Sequence, residues 1–135
     1  MYQVPSLNRL IAELTKLPGI GQKSAQRIAL FLVNAPREQH QRLIQTLQAV
    51  SARVRQCSRC GNLTETDPCP ICRDPNRDHR TICVVEQPRD VLVIEKMGKF
   101  HGVYHVLGGV ISPAKDIGPD AINIDTLLRR VREDA

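Results

Sequence analysis

Cys57, Cys60, Cys69 and Cys72 fall as two Cys-x2-Cys pairs separated by eight residues. Two residues between ligands let a tight turn aim both sulfurs at one ion, and the intervening loop brings the second pair round to complete a tetrahedron. The donor set predicts one structural Zn2+ per chain. Four thiolates close the coordination sphere, so no position is left for a water nucleophile and hydrolysis at the metal is not expected. The eight-residue loop is shorter than the usual zinc-ribbon spacing, which favours a compact knuckle. An iron–sulfur cluster also takes four thiolates, but paired cysteines on a short loop favour zinc. Free or disulfide-bonded cysteines in a proline-rich loop are the remaining reading, and a reducing compartment weighs against disulfides. The fifth cysteine, Cys83, sits in an apolar run and is expected to be a core thiol. His79, in a charged turn, is expected to be solvent-exposed. His40, His101 and His105 have no spaced ligand partners and receive no role.

A second stretch with chemistry is Leu17-Pro18-Gly19-Ile20-Gly21-Gln22-Lys23-Ser24-Ala25. Two glycines let a turn bring its backbone N–H groups close to a strand of nucleic acid, and Ile20 can anchor the turn in a core. The helix start that follows adds its positive end to a phosphate site. Lys23 and Arg27, four apart, share a helix face and extend the contact along the backbone. Such contacts carry no sequence code. The stretch resembles the helix-hairpin-helix motif of non-sequence-specific DNA-binding proteins, with Leu17, Pro18, Gly19, Ile20, Gly21, Ala25 and Ile28 on its positions. Charge agrees. Residues 1–56 hold eight basic and two acidic side chains, a net +6, while residues 57–80 are neutral and residues 81–135 carry −1. The excess points an anionic partner at one end of the chain. With no tryptophan, two tyrosines and two phenylalanines, the aromatic platforms of many single-strand binders are missing, so DNA binding is expected to be weak to moderate and salt-dependent. A plain tight turn with solvated basic neighbours, or a hairpin that packs on another subunit, would use the same residues.

The elements that must position these groups are legible by period. Leu7, Leu10, Ile11, Leu14 and Leu17 mark a helix, with Ser6 as its predicted N-cap and Pro18-Gly19 as its end. Ala25, Ile28, Ala29, Leu32 and Val33 mark a second from Gln22. A third spans about 37–55, with Leu43, Ile44, Leu47, Val50 and Val54 as its predicted buried stripe. Beyond the aperiodic cysteine segment, Thr81–Val85 reads as a strand buried on both faces. Residues 89–97 read as a helix with Val91, Leu92 and Ile94 in register, and Val103–Leu107 as a second strand. Residues 125–131 form a last helix with Leu127, Leu128 and Val131 inward. Two strands and two helices cannot cover a parallel sheet, so the chain reads as cut off partway through its last domain. No apolar run reaches the ~18 residues of a spanning helix and no secretory h-region follows the start, which predicts a cytoplasmic protein with no membrane partner.

The order of these parts resembles the RecR family of bacterial recombination proteins. The resemblance rests on the hairpin, the four-cysteine finger and Ile82-Cys83-Val84-Val85-Glu86 leading to Pro88-Arg89-Asp90-Val91. Tyr104–Gly109 and Ile111-Ser112-Pro113 add to it, and it covers essentially all 135 residues. It implies an α+β multidomain fold. Residues 1–55 would be an all-α helix-hairpin-helix DNA-binding domain, 56–80 a small four-cysteine zinc finger, and 81–135 the N-terminal part of a truncated α/β Toprim domain, the fold shared with topoisomerases and primases. It further implies a non-enzymatic mediator of DNA repair that forms a homo-oligomer (dimer or tetramer), partners with RecO and RecF, and helps load RecA. Glu86 matches the first acid of active Toprim enzymes, whose later Asp-x-Asp pair has no counterpart here. Two other readings stay open: a protein-interaction module, and a Toprim nuclease or topoisomerase fragment using Glu86 with Asp116, Asp120 or Asp125 around magnesium.

Overall fold

Proline costs a helix nothing at its first position, where its missing N–H would be unbonded anyway. The first helix, α1 (Pro5–Thr15), accordingly starts on Pro5 with Val4 as N-cap and no side-chain cap. Ser6 is therefore not the cap expected of it; it lies inside the first turn. The computed structural model describes residues 1–109, 113–115 and 117–134. The contacts divide it into two units, Met1–Ala49 and Val50–Ala135.

In the first unit α1 packs against α2 (Gln22–Asn34). Ala25 and Ala29, both wholly buried, meet Ile11, and Leu7, Leu10, Leu14 and Ile20 close around them. Small residues let the two backbones approach, so a short aliphatic core suffices. Leu17 does not join the α1 stripe, because the helix ends before it and the side chain is 49 % exposed. Val33 likewise faces out. At the end of α2 the His40 ring donates to the Leu32 carbonyl, which also accepts from Ala35 N–H at 3.2 Å, so the last turn is tied to the start of α3. His40 thus has a structural role that its isolation in the sequence did not suggest.

The third helix, α3 (Arg37–Arg53), carries no buried residue. Leu43, Ile44, Leu47 and Val50, expected as a buried stripe, are 46–61 % exposed, and Val54 lies past the helix end and is exposed too. A helical period shows which residues share a face, but burial needs a second surface, and among the described residues none covers this one.

The second unit opens with the short antiparallel strands β1 (Arg55–Gln56) and β2 (Leu63–Thr64) and the single turn α4 (Pro70–Arg73). Then β3 (Asp78–Val85) pairs in parallel with β4 (Gly102–Val106) across α5 (Pro88–Met97), aligning Ile82 with Val103 and Val85 with Val106. Every residue of β4 is buried, whereas β3 leaves Val84 47 % exposed. Thr81–Val85, expected to be buried on both faces, is therefore half open within β3, and the strand covered on both faces is β4. Val91, Tyr104 and Val106 form the core with Ile71, Cys83, Val85, Ile94 and Phe100. Cys83 is thus a partly buried core thiol, while Leu92 faces out. Gln87 and Asp90 cap α5 reciprocally, and Gly98 ends it at φ +68°. No helix of the described residues is long and apolar enough to cross a membrane.

The last helix, α6 (Ile124–Asp134), departs from its predicted apolar face. Leu128 and Val131 are about half exposed, and the residue turned fully inward is Arg130, 3 % exposed. Its guanidinium donates to the Tyr104 carbonyl and to His105 Nδ1 at 3.2 Å. The backbone and imidazole of β4 offer acceptors that a leucine could not use, and these hydrogen bonds hold the cation where simple patterning would exclude it. His105 is wholly buried, and its Nε2 donates to the Asn123 carbonyl at 2.7 Å. Both ring nitrogens are engaged in the neutral form, and burial, with some help from Arg130, lowers the pKa of the ring. An unfolded His105 takes up a proton where the folded one resists it. Its contribution to stability is whole above about pH 6.5 and is lost as pH falls below that value. Urea unfolding of the zinc-loaded chain between about pH 7.5 and about pH 5.5 is expected to show a smaller acid-induced loss for His105→Gln than for wild type. Equal losses would disprove the assignment.

A four-cysteine metal centre and a basic helical hairpin

The cysteine segment folds around its sulfurs. Cys57 N–H donates to the Asn62 carbonyl at 2.7 Å and Gly61 N–H to the Cys57 carbonyl at 2.8 Å, closing a turn between β1 and β2 that carries the first pair. Gly61 sits at φ +80°, a conformation that other residues adopt only with strain. The second pair brackets α4, where Cys69 Sγ caps the turn by accepting from Cys72 N–H at 3.4 Å. Asp67 ties the halves together. One carboxylate oxygen accepts from Ser58 N–H and Ser58 Oγ, each at 2.9 Å, and the other from Arg55 at 2.9 Å. The Ser58 hydrogen bonds, with Arg55 behind them, hold the Asp67 carboxyl below the usual carboxylate range. Sequence reasoning misses this residue, because an Asp reaching back nine positions has no local signature.

All four Sγ atoms lie within 4.8 Å of one another. Cys57 and Cys72 are 3.9 Å apart and Cys60 and Cys69 3.6 Å. A tetrahedral Zn2+ with ~2.3 Å bonds places its sulfurs ~3.8 Å apart, so the cage fits the ion. None of the four residues is more than 8 % exposed. Backbone N–H groups of Asn62, Cys69 and Cys72 point at Cys60, Cys57 and Cys69 sulfurs at 3.3–3.4 Å, as donors to thiolates would. Without a cation the group cannot ionise together. Hydrogen bonds from Cys60 and then Cys72 favour the Cys69 thiolate, while the contact with Cys69 pushes the Cys60 thiol up to about 12 and contacts with Cys60 and then Cys69 raise the Cys72 thiol. A dication removes that conflict, and Zn2+ held by Cys57, Cys60, Cys69 and Cys72 supplies structure rather than a reactive position.

The knuckle is seated on the α/β layer of its own unit. Val106 N–H donates to the Cys60 carbonyl at 2.7 Å, and Ile71 packs both on the cysteines and on the Val91–Tyr104–Val106 core. A Cβ on Gly61 would stand 2.6 Å from the Val106 carbonyl oxygen and 2.7 Å from Asn123 Nδ2, so the hairpin touches β4 through bare backbone. Just past α4, Arg77 forms a bidentate pair with Glu95, one contact being 3.0 Å, and also donates to the Gly102 carbonyl at 3.2 Å. Tyr104 donates its hydroxyl to the same Glu95. Arg77 first, with Tyr104 assisting, keeps the Glu95 carboxyl below its usual range, while burial and then Glu95 raise the Tyr104 phenol. His79 is half-buried instead of exposed, its Nε2 donating to the Asp74 carbonyl at 2.8 Å, and it is not part of the metal cluster.

In the other unit, the hairpin leaves α1 through Leu17 N–H to Leu14 at 3.1 Å and turns with Ile20 N–H to Leu17 at 3.2 Å. Gly19 takes φ +78°. Gly21 is extended and is the N-cap of α2, offering no side-chain cap to the first N–H groups. Added Cβ atoms at Gly19 and Gly21 would meet nothing within 4 Å, so the outer face of the turn is open, while Ile20 inserts toward Ile11, Ala25 and Ala29. Lys23 and Arg27 are both exposed.

Glu86 is exposed where β3 ends, its carbonyl accepting from Gly108 N–H at 2.8 Å. Among the described residues the four cysteines are the one group of three or more His, Cys, Asp or Glu close enough to share a metal ion, so Glu86, Asp120 and Asp125 are not gathered into such a cluster. Asp116, Ile111 and Ser112 lie outside the described residues.

The cage is expected to hold one zinc per chain by elemental analysis, and Cys60→Ser to lose the metal and aggregate; a well-folded chain without zinc would contradict it. Gly61→Ala, which combines positive φ with a backbone clash, is expected to lower stability by roughly 2 kcal/mol or more. Gly108→Ala, at φ +83° with open space around it, is expected to lose only about 1 kcal/mol in the same unfolding titration.

Three family models match in chain order: the RecR helix-hairpin-helix over residues 7–51, the RecR zinc finger domain with four cysteines over 54–74, and the Toprim domain over 80–133. The Recombination protein RecR of Bifidobacterium adolescentis is 51 % identical over 128 residues, covering 95 % of this chain and 64 % of the relative. That of Tropheryma whipplei (strain TW08/27) is 56 % identical over 124 residues, covering 92 % and 63 %. That of Lactobacillus johnsonii is 48 % identical over 132 residues, covering 98 % and 66 %. The chain thus spans slightly less than two thirds of the length of these relatives. With the open glycine turn, the metal cage and the parallel strand pair following one another as the three matched models do, the chain belongs to the RecR family.

Proposed function

We propose that this chain is the DNA-binding part of a non-enzymatic recombination mediator in DNA repair. It would act in the cytoplasm with RecO and RecF as partners and assist the loading of RecA. In this reading residues 1–55 bind DNA, residues 56–80 form the zinc finger, and residues 81–135 contribute Toprim structure. The observation that carries it is the open hairpin: Gly19, Ile20 and Gly21 present an uncapped helix start, with the turn anchored by Ile20 and its outer face clear. Lys23 and Arg27 follow on the next turns, in a segment of net charge +6. Backbone amides at a helix start suit a phosphate oxygen, and two flexible cations extend the contact along the strand without reading bases. The closed sulfur cage adds no reactive position.

Self-association belongs to the same proposal. The apolar stripe Leu43, Ile44, Leu47 and Val50 on α3 is open to solvent along its length. A stripe at helical spacing that its own chain leaves uncovered suits a symmetric contact with a second copy, and several copies would raise the avidity of weak phosphate binding.

Lys23→Glu with Arg27→Glu is expected to lower affinity for DNA by roughly tenfold or more at low salt and to reduce the slope of log K against log salt by about 2, while zinc content and helix signal stay as in wild type. Unchanged retention on DNA would favour the interaction-module reading. In sedimentation, Ile44→Asp with Leu47→Asp is expected to yield monomers at concentrations where wild type self-associates, and a monomeric wild type would overturn the oligomer proposal.

A further inference from the structure

One groove beside the hairpin is not needed for phosphate contact. It has a volume of about 450 Å³ and is lined by Tyr2, Asn8, Ile11, Thr15, Gln22 and Gln26 among others. Its floor is partly apolar through Ile11, and its walls carry carboxamides and one aromatic ring. Tyr2 is held in place by its backbone: its N–H donates to Asn8 Oδ1 at 3.1 Å, and Asn8 Nδ2 donates to its carbonyl at 2.5 Å. Its side chain is therefore presented to the groove without being used to secure it, and the residue is 39 % exposed.

Gln22 and Gln26, four apart on α2, form one row of that helix, and Lys23 and Arg27 form the row beside it. A phosphate held by the cationic row and the hairpin amides would leave the base of the same strand next to the carboxamide row. A carboxamide offers both donor and acceptor, which matches the edges of every base without selecting one. An aromatic ring gives any base a stacking surface. In a duplex the bases are already paired and stacked, so such a groove discriminates in favour of unpaired nucleotides.

We propose that this groove is a base-binding site for single-stranded DNA, with Tyr2 as its stacking surface and Gln22 and Gln26 as its polar wall. The proposal rests on the phosphate-binding reading of the hairpin and adds to it a preference for unpaired strands. It also supplies a stacking surface that the scarcity of aromatics in the sequence argued against.

The test uses the zinc-loaded chain with oligothymidylate and with a blunt duplex of equal length. The chain has two tyrosines and no tryptophan, and Tyr104 is 1 % exposed, so quenching of tyrosine emission by a bound base reports on Tyr2. Saturating oligothymidylate is expected to quench wild type, and duplex is not. Tyr2→Ala, which keeps both backbone hydrogen bonds, is expected to lose roughly fivefold or more in affinity for oligothymidylate, with duplex affinity unchanged and Tyr2→Phe close to wild type. Unaltered oligothymidylate affinity in Tyr2→Ala, or an equal loss on both DNAs, would overturn the groove as a base site. Undiminished binding by the Lys23→Glu, Arg27→Glu variant would instead overturn the phosphate reading, so the two failures are told apart.

Discussion

Four buried sulfurs in one cage cannot all carry charge unless a dication sits among them, and as neutral thiols they have little to hold one another by. That electrostatic constraint organises the second unit. The residues around the cysteines are mostly polar, proline-rich and short of apolar side chains, so the loop cannot fold on hydrophobic burial alone. With the ion in place, the turn carrying Cys57 and Cys60 and the turn carrying Cys69 and Cys72 become one rigid body. Asp67 then closes the gap between them, and Ile71 and the backbone at Cys60 and Gly61 set that body on β4.

The helical unit solves the related problem of presenting a loop by different means. Its hairpin is held by two wholly buried alanines and a ring of aliphatic side chains, which lets α1 and α2 close up beneath the turn. Nothing large is needed, because Ile20 anchors the turn while the glycines face out. Contact through backbone amides and flexible cations would tolerate any base order, since phosphate carries no sequence code. What the helices leave unsatisfied is apolar surface on α3, and that is where association with another molecule would gain most.

Patterns local in sequence are legible, and dependencies on distant surfaces are not. The cysteine pairs, the Pro-Gly turn, the parallel strands and the last helix can be read because spacing and periodicity act over a few residues. Burial is misjudged at several positions, three groups of them for one reason. Leu43, Ile44 and Leu47 have a helical stripe but no partner surface among the described residues, Val84 lies on the open side of a half-covered strand, and Leu128 and Val131 yield the inward position to Arg130. Each depends on what lies opposite, which a single segment does not encode. The roles of Asp67, Glu95 and His105 escape notice likewise, since their partners lie 9, 18 and 18 residues away. Gly61 needs its positive φ for the turn, yet its tighter requirement comes from the Val106 carbonyl, which lies far away in sequence.

The near-complete enclosure of the sulfurs has a kinetic corollary. Since no ligand residue is more than 8 % exposed, a chelator in solvent cannot form a mixed complex by simple attack on the folded knuckle. It must wait for the loop to lift from β4, and the rate of metal loss then becomes a clock for that local opening. Exchange at saturating chelator should level off at a ceiling that belongs to the protein and not to the reagent, so the ion doubles as a native probe of how often this small lid on the sheet comes undone.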